Sequence, residues 1–240
     1  MLSLSGSGEA NAAGDSNKLW QLVHDECVPH QQAGQNPPEP CAQVNIAGGV
    51  DHGDAVLKSK DDAREFLLIP TAEITGIEAP AILAPGVTNY FASAWTARSF
   101  VENHRKETIP RDAMSLEINP ATHRSQNQLH IHIDCVTEQV YKTLTDHKSE
   151  IGTSWAPFPK QLASHNFDAM AVGGDKLTVD PFKLLWDSIP ASKDKHEVMA
   201  DSTLAVVGKT DSSGNPDGFI LLKGQGFVGE DIQNHNRCPA

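Results

Sequence analysis

The sequence predicts an α+β fold, an antiparallel sheet with flanking helices and an elaborated C-terminal third. Two patterns carry that prediction. Short runs with apolar residues at every second position come in neighbouring pairs joined by polar turns, and stretches with apolar residues at helical spacing lie between them. A third observation bounds the size: 240 residues with 39% hydrophobic content can bury a sizeable core. Residues 1–17 read as a flexible tail and residues 18–238 as a single domain.

NKLWQLVHDECV places Leu19, Leu22, Val23 and Cys27 at helical spacing, which predicts a short amphipathic helix capped by Ser16 or Asn17. The proline-rich stretch VPHQQAGQNPPEP ends it. AVLKSKDDAREFLLIP reads as a hairpin around the turn SKDDA, and ITGIEAPAILAPG is a connection punctuated by Gly and Pro. TNYFASAWTARSFVENHRKE is a helix capped by Thr88 or Asn89, with Phe91, Trp95, Phe100 and Val101 on one stripe. The strand AMSLEIN, the turn NPATHRSQ and the strand QLHIHIDCV form a second hairpin, and EQVYKTLTDHK is the next helix. In the last third, SWAPFPKQL is a proline-rich crossing, FDAMAVGG and PFKLLWDSIP are short segments, and STLAVVGKTDSSGNPDGFILLKG is a further hairpin. Its outline echoes the hairpin at 55–69, as a decayed duplication or by chance.

The charge balance is acidic, 19 Lys and Arg against 31 Asp and Glu for a net −12. That excludes an undirected nucleic-acid role, because no basic patch offsets the repulsion. No apolar run approaches the ~18 residues a membrane-spanning helix needs, and the opening residues have neither a basic nor an apolar leader region. Four cysteines, Cys27, Cys41, Cys135 and Cys238, include no CxxC pair, and three pairings are open to them. A Cys27–Cys41 bridge would close the proline-rich loop, worth about 3 kcal/mol in the chain-entropy model. Cys135–Cys238 would then pin the C-terminus to the histidine strand. Four reduced, buried thiols are the alternative, as in cytosolic proteins.

In the run QNQLHIHIDC, period two puts Gln128, His130, His132 and Asp134 on one face and Leu129, Ile131, Ile133 and Cys135 on the other. Three readings compete for the histidines. They are solvated strand residues, or two metal ligands completed by Glu117, Asp134 or His165, or a nucleophile and its helper acting on phosphorus. The third reading predicts donors close by, and Asn119, His123, Arg124, Ser125, Gln126 and Asn127 crowd the adjacent turn.

NPATHRSQNQLHIHIDC resembles the signature of the histidine-triad superfamily, in which a strand carries three alternating histidines and the central one is nucleotidylated. More closely, ECVPHQQAGQNPPEPC, VLKSKDDAREFLLIPTAEITGIEAP, NYFASAWTARSF, SLEINPATHRSQNQLHIHIDC and the LAVVG and FILLKG hairpin resemble, in that order, the bacterial CDP-diacylglycerol pyrophosphatase family. The resemblance implies a HIT-like sheet and hydrolysis of CDP-diacylglycerol to CMP and phosphatidate through a nucleotidyl-histidine. His130 falls on the central histidine, the implied nucleophile, and His132 on the last. Gln128 stands where the family pattern has the first, and it can orient but not shuttle protons. Asn119, Ser125 and Gln126 match positions near the phosphate, and Arg124 and His165 are further candidates for substrate binding. Trp95 and Arg98 match a family helix, although a Trp on such a stripe is more often core.

The implied route demands no metal and no cofactor. The implied partners are CDP-diacylglycerol or a related nucleotide diphosphate compound, a membrane surface reached through the lipid, and a second copy in a homodimer, with no nucleic acid. The family's relatives carry an N-terminal anchor, and none is visible here. The expected location is extracytoplasmic: periplasmic, membrane-associated or secreted. Two other functions stay open: a secreted nucleotide hydrolase or nucleotidyl transferase on a soluble diphosphate compound, or a non-catalytic nucleotide- or lipid-binding relative.

Overall fold

The computed structural model describes residues 15–60 and 64–239. Most of the expected tail and part of the SKDDA turn lie outside these residues. Three helical segments follow one another at the start: α1 (Lys18–Gln21), a π-helical turn (Leu22–Cys27) and α2 (Val28–Gln32). Asn17 makes no side-chain cap, and Asp15 Oδ1 instead accepts from the Asn17 N–H. The remaining helices are α3 (Tyr90–Arg105), α4 (Glu138–His147), α5 (Pro181–Ser188) and α6 (Lys195–Ala200). Asn89, Thr137, Asp180 and Asp194 cap them by accepting backbone N–H groups left unpaired in the first turn.

The strands are β1 (Gln43–Asn45), β2 (Asp54–Lys58), β3 (Phe66–Pro70), β4 (Met114–Ile118), β5 (Ile131–Cys135), β6 (Ala156–Pro157), β7 (Asp168–Val172), β8 (Ser202–Thr210) and β9 (Pro216–Gln225). They join in one sheet in the order β1-β2-β3-β5-β4-β8-β9-β7-β6, and each pairing is antiparallel. The α+β expectation and its three hairpins are therefore met. The proline-rich crossing supplies the two-residue edge strand β6, and FDAMAVGG supplies β7.

The histidine strand is shorter than its alternation predicts, beginning at Ile131 rather than at Gln128. Pro70 at the end of β3 has no N–H to continue the ladder, and the Leu129 N–H donates instead to the Ile74 carbonyl in the following loop (2.6 Å).

Alternation divides the core. One face of the sheet carries Leu116, Ile131, Ile133, Leu204 and Leu221 and is covered by α3 and α5, in a cluster that includes Trp95. The other face has two separate clusters. Under the N-terminal helix lie Leu19, Val23, Ala55, Leu57 and Ile69, and at the far end α4 covers Ala205, Val207, Ile220 and Leu222. Both disulfides form, Cys27–Cys41 and Cys135–Cys238. No helix among the described residues is long and apolar enough to cross a membrane.

Candidate active site

Sheet register places the site between the two smaller clusters. One lateral row runs Leu57, Leu67, His132, Glu117, Ala205, Leu222, Ala169. Its two polar members sit side by side on β5 and β4, where neither covering layer reaches. A cleft of about 510 Å³ opens there, lined by His130, His132, Asn119, Arg124, Ser125 and Gln126 among others. The two imidazole rings are 5.0 Å apart and only 8% and 7% exposed.

The rings differ in charge state. His130 Nδ1 lies 2.6 Å from the Gln128 carbonyl oxygen. A carbonyl only accepts, so Nδ1 carries the proton and Nε2 keeps its lone pair. Burial, reinforced by the neighbouring His132 charge, lowers the His130 pKa to about 4 and keeps the ring neutral at physiological pH. His132 lies between two carboxylates, with Nδ1 2.6 Å from Glu65 Oε1 and Nε2 2.9 Å from Glu230 Oε1. Burial disfavours its charge, but the two carboxylates outweigh burial and raise its pKa well above the ordinary value, so the ring is an imidazolium. Glu230 in turn is held at about 2 despite its burial by the bond and charge of His132 and by an Asn119 hydrogen bond.

Beside this trio is Glu117, fully buried, with neither carboxylate oxygen hydrogen-bonded among the described residues. Burial raises its pKa well above the carboxylate range, which leaves it a neutral acid. Gly229 packs against the Glu117 carboxyl so closely that no Cβ would fit. Glu117, His132 and Glu230 present ligand atoms within 4.8 Å of one another, as do Glu65, Glu230 and His235. These sets could hold a cation. A third set, Asp134 with Cys135 and Cys238, has its sulfurs tied in the disulfide.

The other residues expected in the site have partners of their own. Gln128 is fully buried; its Nε2 donates to the Pro70 and Ala72 carbonyls and its Oε1 accepts from the Ile74 N–H, so its side chain braces the loop after β3. Gln126 accepts from the Leu19 N–H and donates to the Asp15 carbonyl, which fastens the N-terminal helix beside the cleft. Arg124 makes two 2.7 Å bonds to Glu78, packed over Gly76. Asn119 accepts from the Gly229 N–H and donates to Glu230. Ser125 is exposed at the cleft wall. His165 lies apart from the cleft lining, 2.9 Å from Asp231 and stacked on Phe227 at 4.0 Å. Trp95 is core on the opposite face, edge-on to Phe219, with Arg98 over its ring.

Glu65, Glu78, Gly229 and Glu230 were not legible as site residues. Glu65 precedes an apolar strand, and Glu230 is one acid in a polar C-terminal stretch. Neither has a local pattern, since each reaches the site by long-range pairing. The C-terminal stretch crosses the histidine strand through a Val136–Gln233 bridge, an Asp134–His235 contact of 2.9 Å and the Cys135–Cys238 bond, and this carries Glu230 onto His132.

Known proteins resemble this chain over most of its length. A family model described as CDP-diacylglycerol pyrophosphatase matches residues 14–238. A CDP-diacylglycerol pyrophosphatase of Yersinia pestis is 37% identical over 230 residues, covering 92% of this chain and 84% of that protein.

Proposed function

The chain belongs to the CDP-diacylglycerol pyrophosphatase family, and from that premise we propose that it hydrolyses CDP-diacylglycerol to CMP and phosphatidate by histidine-triad-type chemistry with His130 as nucleophile. The observation that carries this reading is the bond from His130 Nδ1 to the Gln128 carbonyl, which leaves a neutral Nε2 as the reactive nitrogen of a residue lining the cleft.

In the first step Nε2 attacks the cytidine-side phosphorus. A P–N bond forms, the anhydride P–O bond breaks, and phosphatidate leaves with the electron pair. The ring becomes cationic while Nδ1–H stays on the Gln128 carbonyl, whose dipole stabilises the charge. In the second step water attacks the same phosphorus, the P–N bond breaks, CMP departs, and the proton from water is released as the neutral ring is restored. The His132 imidazolium supplies a fixed positive charge and a donor for phosphate oxygens, with Ser125 at the mouth. Glu230 occupies His132 Nε2 in the free protein, so a phosphate oxygen replaces the carboxylate when substrate binds. Asn119, Gln126 and Gln128 act mainly by holding the elements that frame the cleft. Arg124, already balanced by Glu78, is a weaker phosphate contact. The two disulfides fit an oxidising, extracytoplasmic compartment.

The test is to quench the enzyme during turnover of cytidine-labelled CDP-diacylglycerol and map the adduct. A CMP adduct on His130 is expected, with turnover in His130→Ala down by on the order of 10⁴-fold or more. Adduct at another residue, or undiminished turnover in the variant, refutes the assignment. Turnover is expected to survive a chelator; its loss, with restoration by zinc, would transfer the chemistry to the cluster of Glu117, His132 and Glu230.

A further inference from the structure

The cleft is electrically lopsided about its histidines. Along the lateral row, the β4 side of His132 meets the buried Glu117, with Glu230 against the imidazolium. On the β3 side the one carboxylate that lines the cleft among the described residues, Glu65, is buried against His132 Nδ1, and the row continues to Leu67 and then Leu57. In that direction the cleft continues into a second hollow of about 470 Å³ between the N-terminal helix and β2, and the two share Lys18, Leu22, Leu57, Lys58 and Lys60. Lys18 and Lys60 line both hollows, a local concentration of positive charge in a chain of net −12. Both are exposed, whereas Lys58 shares a lateral row with Phe66 and Ile133, and its ammonium is held by the Ser59 carbonyl over the Phe66 ring on the opposite face. Glu26 lines only the distal hollow, so the lysine end nearest His130 is where an anion is favoured.

Resting on the reading of His130 above, we infer that this extension holds the phosphatidate half of the substrate, its phosphate against Lys18 and Lys60 and the first segments of its acyl chains on Leu22, Leu57 and Leu67. The substrate then has one orientation. On the other side its leaving phosphate would face Glu230, whereas the lysine side offers charge and an apolar floor together. A separate cavity of about 580 Å³ at the far end of the sheet also contains lysines, Lys193 and Lys223, but shares no residue with the histidine cleft and cannot hold half of one bound molecule.

The experiment compares CDP-diacylglycerol in mixed micelles with CDP-glycerol, which keeps the diphosphate and glycerol but has no acyl chains. Product inhibition by CMP and by glycerol 3-phosphate is measured alongside. In Lys18→Ala/Lys60→Ala, KM for both substrates is expected to rise about tenfold and Ki for glycerol 3-phosphate to rise with it, while Ki for CMP stays within about twofold. In Leu22→Asp, the ratio of kcat/KM for CDP-diacylglycerol to that for CDP-glycerol is expected to fall at least about tenfold. Leu22→Gln gives the same comparison with a milder change should the aspartate impair folding. An unchanged ratio in the leucine variants, or CMP inhibition weakened as much as glycerol 3-phosphate inhibition in the lysine variant, overturns the orientation. The wild-type adduct measurement stands apart, so failure of the nucleophile assignment is read independently of this outcome.

Discussion

His130 and His132 share a strand face but not a protonation state, and the difference comes from what each ring nitrogen meets. His130 has a backbone carbonyl and burial; His132 has two carboxylates. The consequence for pH is definite. The acid limb of adduct formation is expected near pH 4, where His130 gains its proton, rather than near the unperturbed value of about 6.5. Between those values the unfolded chain binds the proton that folded His130 refuses, so this residue makes stability rise with pH through that window. His132 has the opposite sign. Its raised pKa contributes stability that is fully present below the unfolded value and is lost as pH rises through the folded one, and the alkaline limb of turnover should follow it. Glu65→Gln removes one of its two carboxylates and is expected to shift that alkaline limb to lower pH; a pH profile of kcat/KM checks it. Glu230→Gln is expected to tighten CMP binding, measured by calorimetry, because the ligand no longer displaces a carboxylate from His132. Weaker CMP binding would instead make Glu230 part of the nucleotide site.

The elements that matter most to the site are those that deliver side chains from far along the chain. The 229–238 segment is anchored by the buried Ile232 and by the Cys135–Cys238 bond, a closure 103 residues apart that the chain-entropy model values at about 4.7 kcal/mol. Cys135→Ala/Cys238→Ala is expected to lower stability by up to that amount in chemical denaturation, and to lower the alkaline limb as Glu230 loosens from His132. Gly229→Ala is the subtler probe. A methyl group there meets the Glu117 carboxyl, so the segment must shift, and about 1–3 kcal/mol of destabilisation is expected in the same assay. At the other end, the Gln126 amide supplies the Leu19 N–H with the acceptor that the first helical turn lacks. Here the donor-rich turn before the histidines binds protein as well as framing the cleft.

At the scale of the molecule, α3 and α5 cover one face of the antiparallel sheet; the other is covered at its two ends and, over Glu117, by the C-terminal segment, and the cleft opens beside that segment. The sequence by itself determined much of this. Period-two alternation located the hairpins, helical spacing located α3 and α4, and the donor-rich turn beside HIH marked the wall of the cleft. Those signals are local, carried by neighbours in the chain and the repeat of strand or helix. The resemblance in QNQLHIHIDC implied a role for His130, but not the reason its ring is neutral. Tertiary structure alone decided that Gln128 braces a loop, that Gln126 holds a helix, and that Glu65, Glu117 and Glu230 surround His132. Each of those outcomes depends on partners tens to more than a hundred residues away. An isolated acid in a polar stretch has the same local pattern whether it ends in solvent or against an imidazolium, and only the pairing of distant segments distinguishes the two.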